Sequence, residues 1–95
     1  MLIDSGAACY NMEVELTKDG KKGYAKLNQP MLGRINHAID ELRKDSPDGD
    51  IIPLRGHQGA YRLRVGDYRV LFYEENGVRY VFKIAPRGEA YGRLK

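Results

Sequence analysis

Hydrophobic and polar positions alternate at the start of the chain. Between Tyr10 and Leu16, Met12, Val14 and Leu16 share one side and Glu13 and Glu15 the other, the two-residue period of a half-buried strand. Thr17 then offers a cap for a short helix over 18–27. That helix contains Gly20 and Gly23, each costing about 1 kcal/mol relative to Ala in a helix interior. A second helix is better marked. Asn28 is placed to cap it, Pro30 falls in its first turn, Met31, Ile35, Ile39 and Leu42 form one stripe, and Ser46-Pro47-Asp48-Gly49 stops it.

Beyond that stop, Ile51, Ile52 and Leu54 lead through Gly56 and Gly59 into AYRLRVGDYRVLFY, residues 60–73. With Gly66-Asp67 as a two-residue turn, Val65 pairs with Tyr68 and Arg64 with Arg69. Tyr61, Leu63, Val65, Tyr68, Val70 and Phe72 then share one face, and Arg62, Arg64 and Arg69 share the other. Asn76-Gly77 marks a second hairpin joining Tyr68–Glu75 to Val78–Ala85. In its simplest register Tyr73 opposes Tyr80 and Leu71 opposes Phe82. Apolar groups therefore reach the arginine face as well, to be covered by the C-terminal segment, a partner protein or stacked bases. The last strand, VRYVFKIA, is apolar on both faces, as suits a central position. Pro86 ends it, and GEAYGRLK leaves room for a short C-terminal helix at most. The predicted order is βααβββ, an α+β fold with both N-terminal helices on the Tyr61/Leu63/Val65 face of a small, mainly antiparallel sheet.

At 95 residues the chain has room for one domain, expected over 10–95, with residues 1–9 as a loose N-terminal extension. That extension lacks the basic start and apolar run of a signal peptide, and no stretch approaches the 18 apolar residues of a membrane span. Cys9 is the only cysteine, so neither an internal disulfide nor a cysteine-rich metal site can form, and a reducing, cytoplasmic setting is expected. The formal charge of +3 is unevenly distributed: residues 1–54 carry 7 basic and 9 acidic groups, residues 55–95 carry 9 and 4. The basic C-terminal part suits a polyanion.

Like charges opposed on one sheet face cost about 0.2–1 kcal/mol, so folding supplies no reason for Arg62, Arg64 and Arg69 to cluster. Guanidinium groups hold phosphate oxygens bidentately and stay charged, so converging arginines make a phosphate site that needs no metal. Arg87 and Tyr91 are further candidates. The plainer readings are phosphate binding alone, pairing with Glu74, Glu75 or Glu89, and a packing role for Tyr91. His57 lies in the glycine-flanked RGHQG loop ahead of the arginine strand, whereas His37 sits on the second helix as a surface or boundary residue. Phosphate-cradling Gly-Lys-Ser/Thr loops, nucleophile elbows and metal-binding spacings are absent from the sequence.

From Tyr10 onward the chain resembles the RelE/ParE toxin superfamily, in particular its RelE-like mRNA-cleaving branch. The resemblance rests on Pro53-Leu54-Arg55-Gly56, Tyr61-Arg62-Leu63-Arg64-Val65-Gly66-Asp67-Tyr68-Arg69-Val70 and Ile84-Ala85-Pro86-Arg87-Gly88-Glu89-Ala90-Tyr91 in that order. It implies a toxin of a type II toxin–antitoxin system, a cofactor-free endoribonuclease that enters the ribosomal A site, cuts mRNA there and is neutralised by a cognate antitoxin. Its catalytic positions match Arg62, Arg64, Arg69, Arg87 and Tyr91, with Arg55 and His57 expected against RNA. Family lysines on the first hairpin strand appear here as arginines, which do not deprotonate, so the electrostatic role transfers and the acid and base assignment does not. A gyrase-inhibiting ParE-like toxin and a non-catalytic RNA- or protein-binding module are the rival expectations.

Overall fold

The computed structural model describes residues 12–44 and 47–90. The expected N-terminal extension, Ser46 and Tyr91 lie outside them. The elements are β1 (Glu13–Leu16), α1 (Lys18–Ala25), α2 (Met31–Glu41), β2 (Asp50–Pro53), β3 (Ala60–Val65), β4 (Tyr68–Glu75), β5 (Val78–Pro86) and α3 (Arg87–Ala90). They form one five-stranded sheet in the order β1-β5-β4-β3-β2, antiparallel except for the parallel pair β1 and β5. The expected α+β fold is present, with β5 inside the sheet and one strand, β2, added at its edge.

Both turns set the register their sequences dictate. Val65 faces Tyr68 and Arg64 faces Arg69 across Gly66-Asp67, while Tyr73 faces Tyr80 across Asn76-Gly77. Gly66, Asn76 and Gly77 all take positive φ, the left-handed region such tight turns require. One pairing departs from the simple register. Leu71 faces Lys83, not Phe82, because β5 carries an extra residue at Phe82 opposite the Leu71/Phe72 step.

Thr17 caps α1 as its hydroxyl suggests, Oγ1 accepting from Gly20 N at 3.2 Å. Helix α2 begins later than the sequence indicates. Asn28 does not cap it with its side chain; Pro30 stands at the cap position, and Gln29 Oε1 accepts from Gly33 N at 3.2 Å. The two glycines of α1 have a packing role. A Cβ on Gly20 would lie 2.2 Å from Val81 O, and one on Gly23 would lie 2.2 Å from Ile84 O. The helix backbone thus rests directly on β5 where β1 stops pairing with it.

The core lies between the helices and the face of Leu63, Val70, Phe72 and Val81, with Ile35 and Leu42 of the α2 region fully enclosed. Tyr61 stacks on Phe72 within this layer at a ring separation of 5.6 Å. Arg79 is buried at its margin. Its Nε donates to Glu74 across the β4–β5 ladder at 2.8 Å, and Nη1 donates to the Leu42 and Lys44 carbonyls at 2.8 and 2.6 Å. One guanidinium thereby satisfies carbonyls that the end of α2 leaves without helical partners.

Candidate functional site

The opposite face of the sheet carries the candidate residues. Arg62 and Arg64 project from β3 and Arg69 from β4, as alternation requires, and the neighbouring edge strand places Asp50 opposite Arg64 and Ile52 opposite Arg62. Asp50 is a member of this group that the sequence pattern does not mark. Its Oδ2 lies 2.8 Å from Arg64 Nε and its Oδ1 lies 3.3 Å from Arg62 Nη2. The acidic partner of the pair is therefore an aspartate across a strand boundary, and Glu74 pairs instead with Arg79.

The three arginines differ in availability. The Arg64 side chain is 54% exposed, whereas that of Arg62 is 12% exposed. Arg62 Nε is buried without a hydrogen-bond acceptor, a state that costs free energy unless an acceptor arrives. Arg69 is buried, and its Nη1 donates to the Gly66 and Tyr68 carbonyls at 3.1 and 2.9 Å. It braces the hairpin turn and fixes a positive charge just beneath the surface.

That turn gathers further cations. Arg87 opens α3 as an exposed residue, and its backbone N–H donates to Asp67 O at 2.7 Å, fixing the start of α3 beside the hairpin. From the other layer, α2 brings Arg34 so close that a Cβ on Gly66 would lie 2.8 Å from its Nη1. The guanidinium groups of Arg34 and Arg69 thus flank Gly66-Asp67, and the backbone of Arg87 is tied to it. The sequence places Arg34 on the exposed side of a helix and gives no cue that this side reaches the turn.

Not every candidate joins this group. His57 is half-buried in the β2–β3 loop, where its carbonyl accepts from Ala60 N at 3.1 Å. The strand from Ala60 to Val65 separates it from the turn by about 17 Å. His57 instead borders a cleft of about 650 Å³ with Thr17, Gln58, Ala60, Tyr73 and Phe82. Arg55 is exposed in the same loop. Tyr91 follows α3 directly but lies outside the described residues, within which no three His, Cys, Asp or Glu side chains converge as metal ligands and no helix is long and apolar enough to cross a membrane.

α3 packs against β4 and β5, and Leu71, Ala85 and Ala90 are buried. A cationic rim thus borders a sheet face partly covered by the short helix α3, and solved toxin structures share the fold of this chain. The chain has the fold of the RelE/ParE toxin superfamily. A RelE–RelB complex from Pyrococcus horikoshii matches it at 29% identity and TM-score 0.68, covering 84% of this chain and 99% of that one. The RelB–RelE antitoxin–toxin complex from Methanococcus jannaschii matches at 21% identity and TM-score 0.72, covering 85% and 99%. A YoeB/ParE toxin from Agrobacterium tumefaciens matches at 18% identity and TM-score 0.66, covering 79% and 98%. No family model matches the sequence, and no curated protein matches it. Structural neighbours of the RelE-like chain thus include both RelE and YoeB/ParE toxins.

Proposed function

We propose that the protein is the toxin of a toxin–antitoxin pair and cleaves mRNA in the ribosomal A site as an endoribonuclease of the cytoplasm, with a cognate antitoxin as its neutralising partner. The observation that carries this reading is the convergence of the Arg34 and Arg69 guanidinium groups and of the backbone of Arg87 on the Gly66-Asp67 turn, at the end of the face that presents Arg62 and Arg64. Fixed guanidinium groups suit a reaction in which charge builds on a phosphate.

In this mechanism an RNA 2′-hydroxyl attacks the adjacent phosphodiester. The oxygen–phosphorus bond to the next nucleotide breaks, its 5′-oxygen leaves with a proton, and the products are a 2′,3′-cyclic phosphate, or the 3′-phosphate from its hydrolysis, and a 5′-hydroxyl. Arg87 donates to the non-bridging oxygens as their charge grows, and Arg69 adds its field from beneath the turn. Arg64 and Arg62 hold the flanking backbone, Arg62 Nε gaining the acceptor it lacks. Proton transfer falls to other groups because a guanidinium does not give up its proton at neutral pH. His57 is too far from Arg87 to serve there, and Tyr91 stacks on a base beside the reacting phosphate. Arg55 and His57 meet RNA at the far end of the face.

A second reading, inhibition of gyrase, is favoured by the YoeB/ParE toxin among the structural neighbours. Adding purified protein to a translating extract and to a gyrase supercoiling reaction separates them. The nuclease reading predicts that translation stops and supercoiling continues; the converse result supports the ParE-like activity.

A further inference from the structure

The arginine face has an aromatic end that the proposed chemistry does not use. Tyr73 of β4 and Tyr80 of β5 stack with ring centroids 5.2 Å apart and an interplanar angle of 26°. Phe82, the extra residue of the β5 bulge, lies 5.8 Å from Tyr73 at 42°. All three are half-buried, and none belongs to the core between helices and sheet. Tyr73 and Phe82 line the open cleft of about 650 Å³ together with the His57-Gln58-Gly59 segment and Ala60, which is paired with Tyr73 and contributes only a methyl group.

The lining identifies the occupant. Among the described residues, this cleft is lined by aromatic faces, an imidazole, a hydroxyl and a carboxamide, with Glu74 as the one carboxylate and no Lys or Arg. An acidic peptide or a bare phosphate finds no cation there. A flat, uncharged group with hydrogen-bonding edges finds rings to stack on and, at Gln58 and Thr17, donors and acceptors. Along β3, Arg62 and Arg64 follow Ala60 by two and four residues, about 7 and 13 Å, so one extended polyanion spans both regions.

We infer that Tyr73, Tyr80 and Phe82, with the His57-Gln58 loop, form a stacking subsite for an unpaired nucleobase of single-stranded RNA whose phosphates lie on Arg62 and Arg64. The inference rests on the RNA reading proposed above and adds to it a place where a base, rather than the backbone, is held.

The test is fluorescence anisotropy with a labelled single-stranded RNA 12-mer and with copies carrying one abasic position each. Wild-type protein is compared with Tyr73→Leu, Phe82→Leu and Arg64→Ala. The subsite predicts that the aromatic substitutions each weaken intact RNA by about 5- to 150-fold with an unchanged salt slope. It also predicts that wild-type protein loses affinity at a particular abasic position and that Tyr73→Leu no longer distinguishes that RNA from the intact one. The abasic series on wild-type protein reports even if the variants fold poorly. Equal wild-type affinity for every abasic RNA overturns the subsite, as does wild-type affinity in a folded Tyr73→Leu variant; in both cases weakening by Arg64→Ala leaves the RNA reading standing. If Tyr73→Leu keeps RNA affinity but loses a co-expressed antitoxin, the cluster is a protein contact and the subsite is again overturned. Wild-type protein that binds no RNA contradicts both.

Discussion

Asp50 bridges Arg64 and Arg62, with one carboxylate oxygen 2.8 Å from the first and the other 3.3 Å from the second. The bridge offsets the repulsion between two arginines on one sheet face and occupies guanidinium edges that a phosphate would otherwise use. Removing its charge has opposite consequences for folding and for RNA. Asp50→Asn is expected to destabilise the domain by about 1 kcal/mol, the scale of a largely exposed pair, and to tighten binding of single-stranded RNA at low salt. Denaturant titration and a salt-dependent binding series on the same variant check both signs.

Arg79 has a structural assignment. Its Nε and Nη1 donate to Glu74 and to the Leu42 and Lys44 carbonyls. Arg79→Ala leaves buried polar groups without partners, and a loss of about 3–5 kcal/mol is expected. The measurement is the urea midpoint at unchanged slope. The position lies away from the Gly66-Asp67 turn, so variant protein that remains folded should retain RNA affinity.

Gly20 and Gly23 reverse the usual rule for exposed helices. Replacing Gly by Ala in a helix is ordinarily worth about 1 kcal/mol of stability. Here the new methyl would lie 2.2 Å from a backbone oxygen of β5 in each case. Gly20→Ala and Gly23→Ala are each expected to lower the thermal midpoint, with α1 forced away from the sheet. A gain in stability for either variant would show that α1 moves freely on β5.

Glu41 supplies the acid dependence. The Lys44 ammonium bonded to its carboxylate holds its pKa below the ordinary value, helped by the Asp48 backbone N–H and opposed by desolvation. A depressed folded-state value means that the contribution is present above about pH 4.5 and is lost as pH falls through the folded value. Glu41→Gln should therefore lose stability relative to wild type at pH 6, with the difference shrinking toward pH 3. Parallel denaturation curves at the two pH values read this out.

The arginine constellation was legible because two strong turn signals fix register, and register decides faces. Gly66-Asp67 put Arg64 opposite Arg69, and Asn76-Gly77 put Tyr73 opposite Tyr80, before any tertiary contact was known. What escaped was whatever depends on the third dimension. Asp50–Pro53 is four residues with no clear alternation and a proline, so neither β2 nor the Asp50 bridge was visible. The Phe82 bulge leaves no local signature, and it moved Leu71 opposite Lys83. Gly20 and Gly23 looked like weak points of a helix, although their missing side chains are what let α1 reach β5. Arg34 reaches the turn only through the way α2 lies on the sheet.

The measurement that tests the central claim most directly is primer extension on an mRNA in a translating extract, comparing wild-type protein, Arg87→Ala and the same RNA without ribosomes. The proposed mechanism predicts cuts with wild-type protein that require ribosomes and fall by roughly 100- to 1,000-fold in the variant, the scale of losing one well-aimed donor to a developing oxyanion. Intact mRNA at high concentrations of folded wild-type protein, or undiminished cutting by Arg87→Ala, would contradict it.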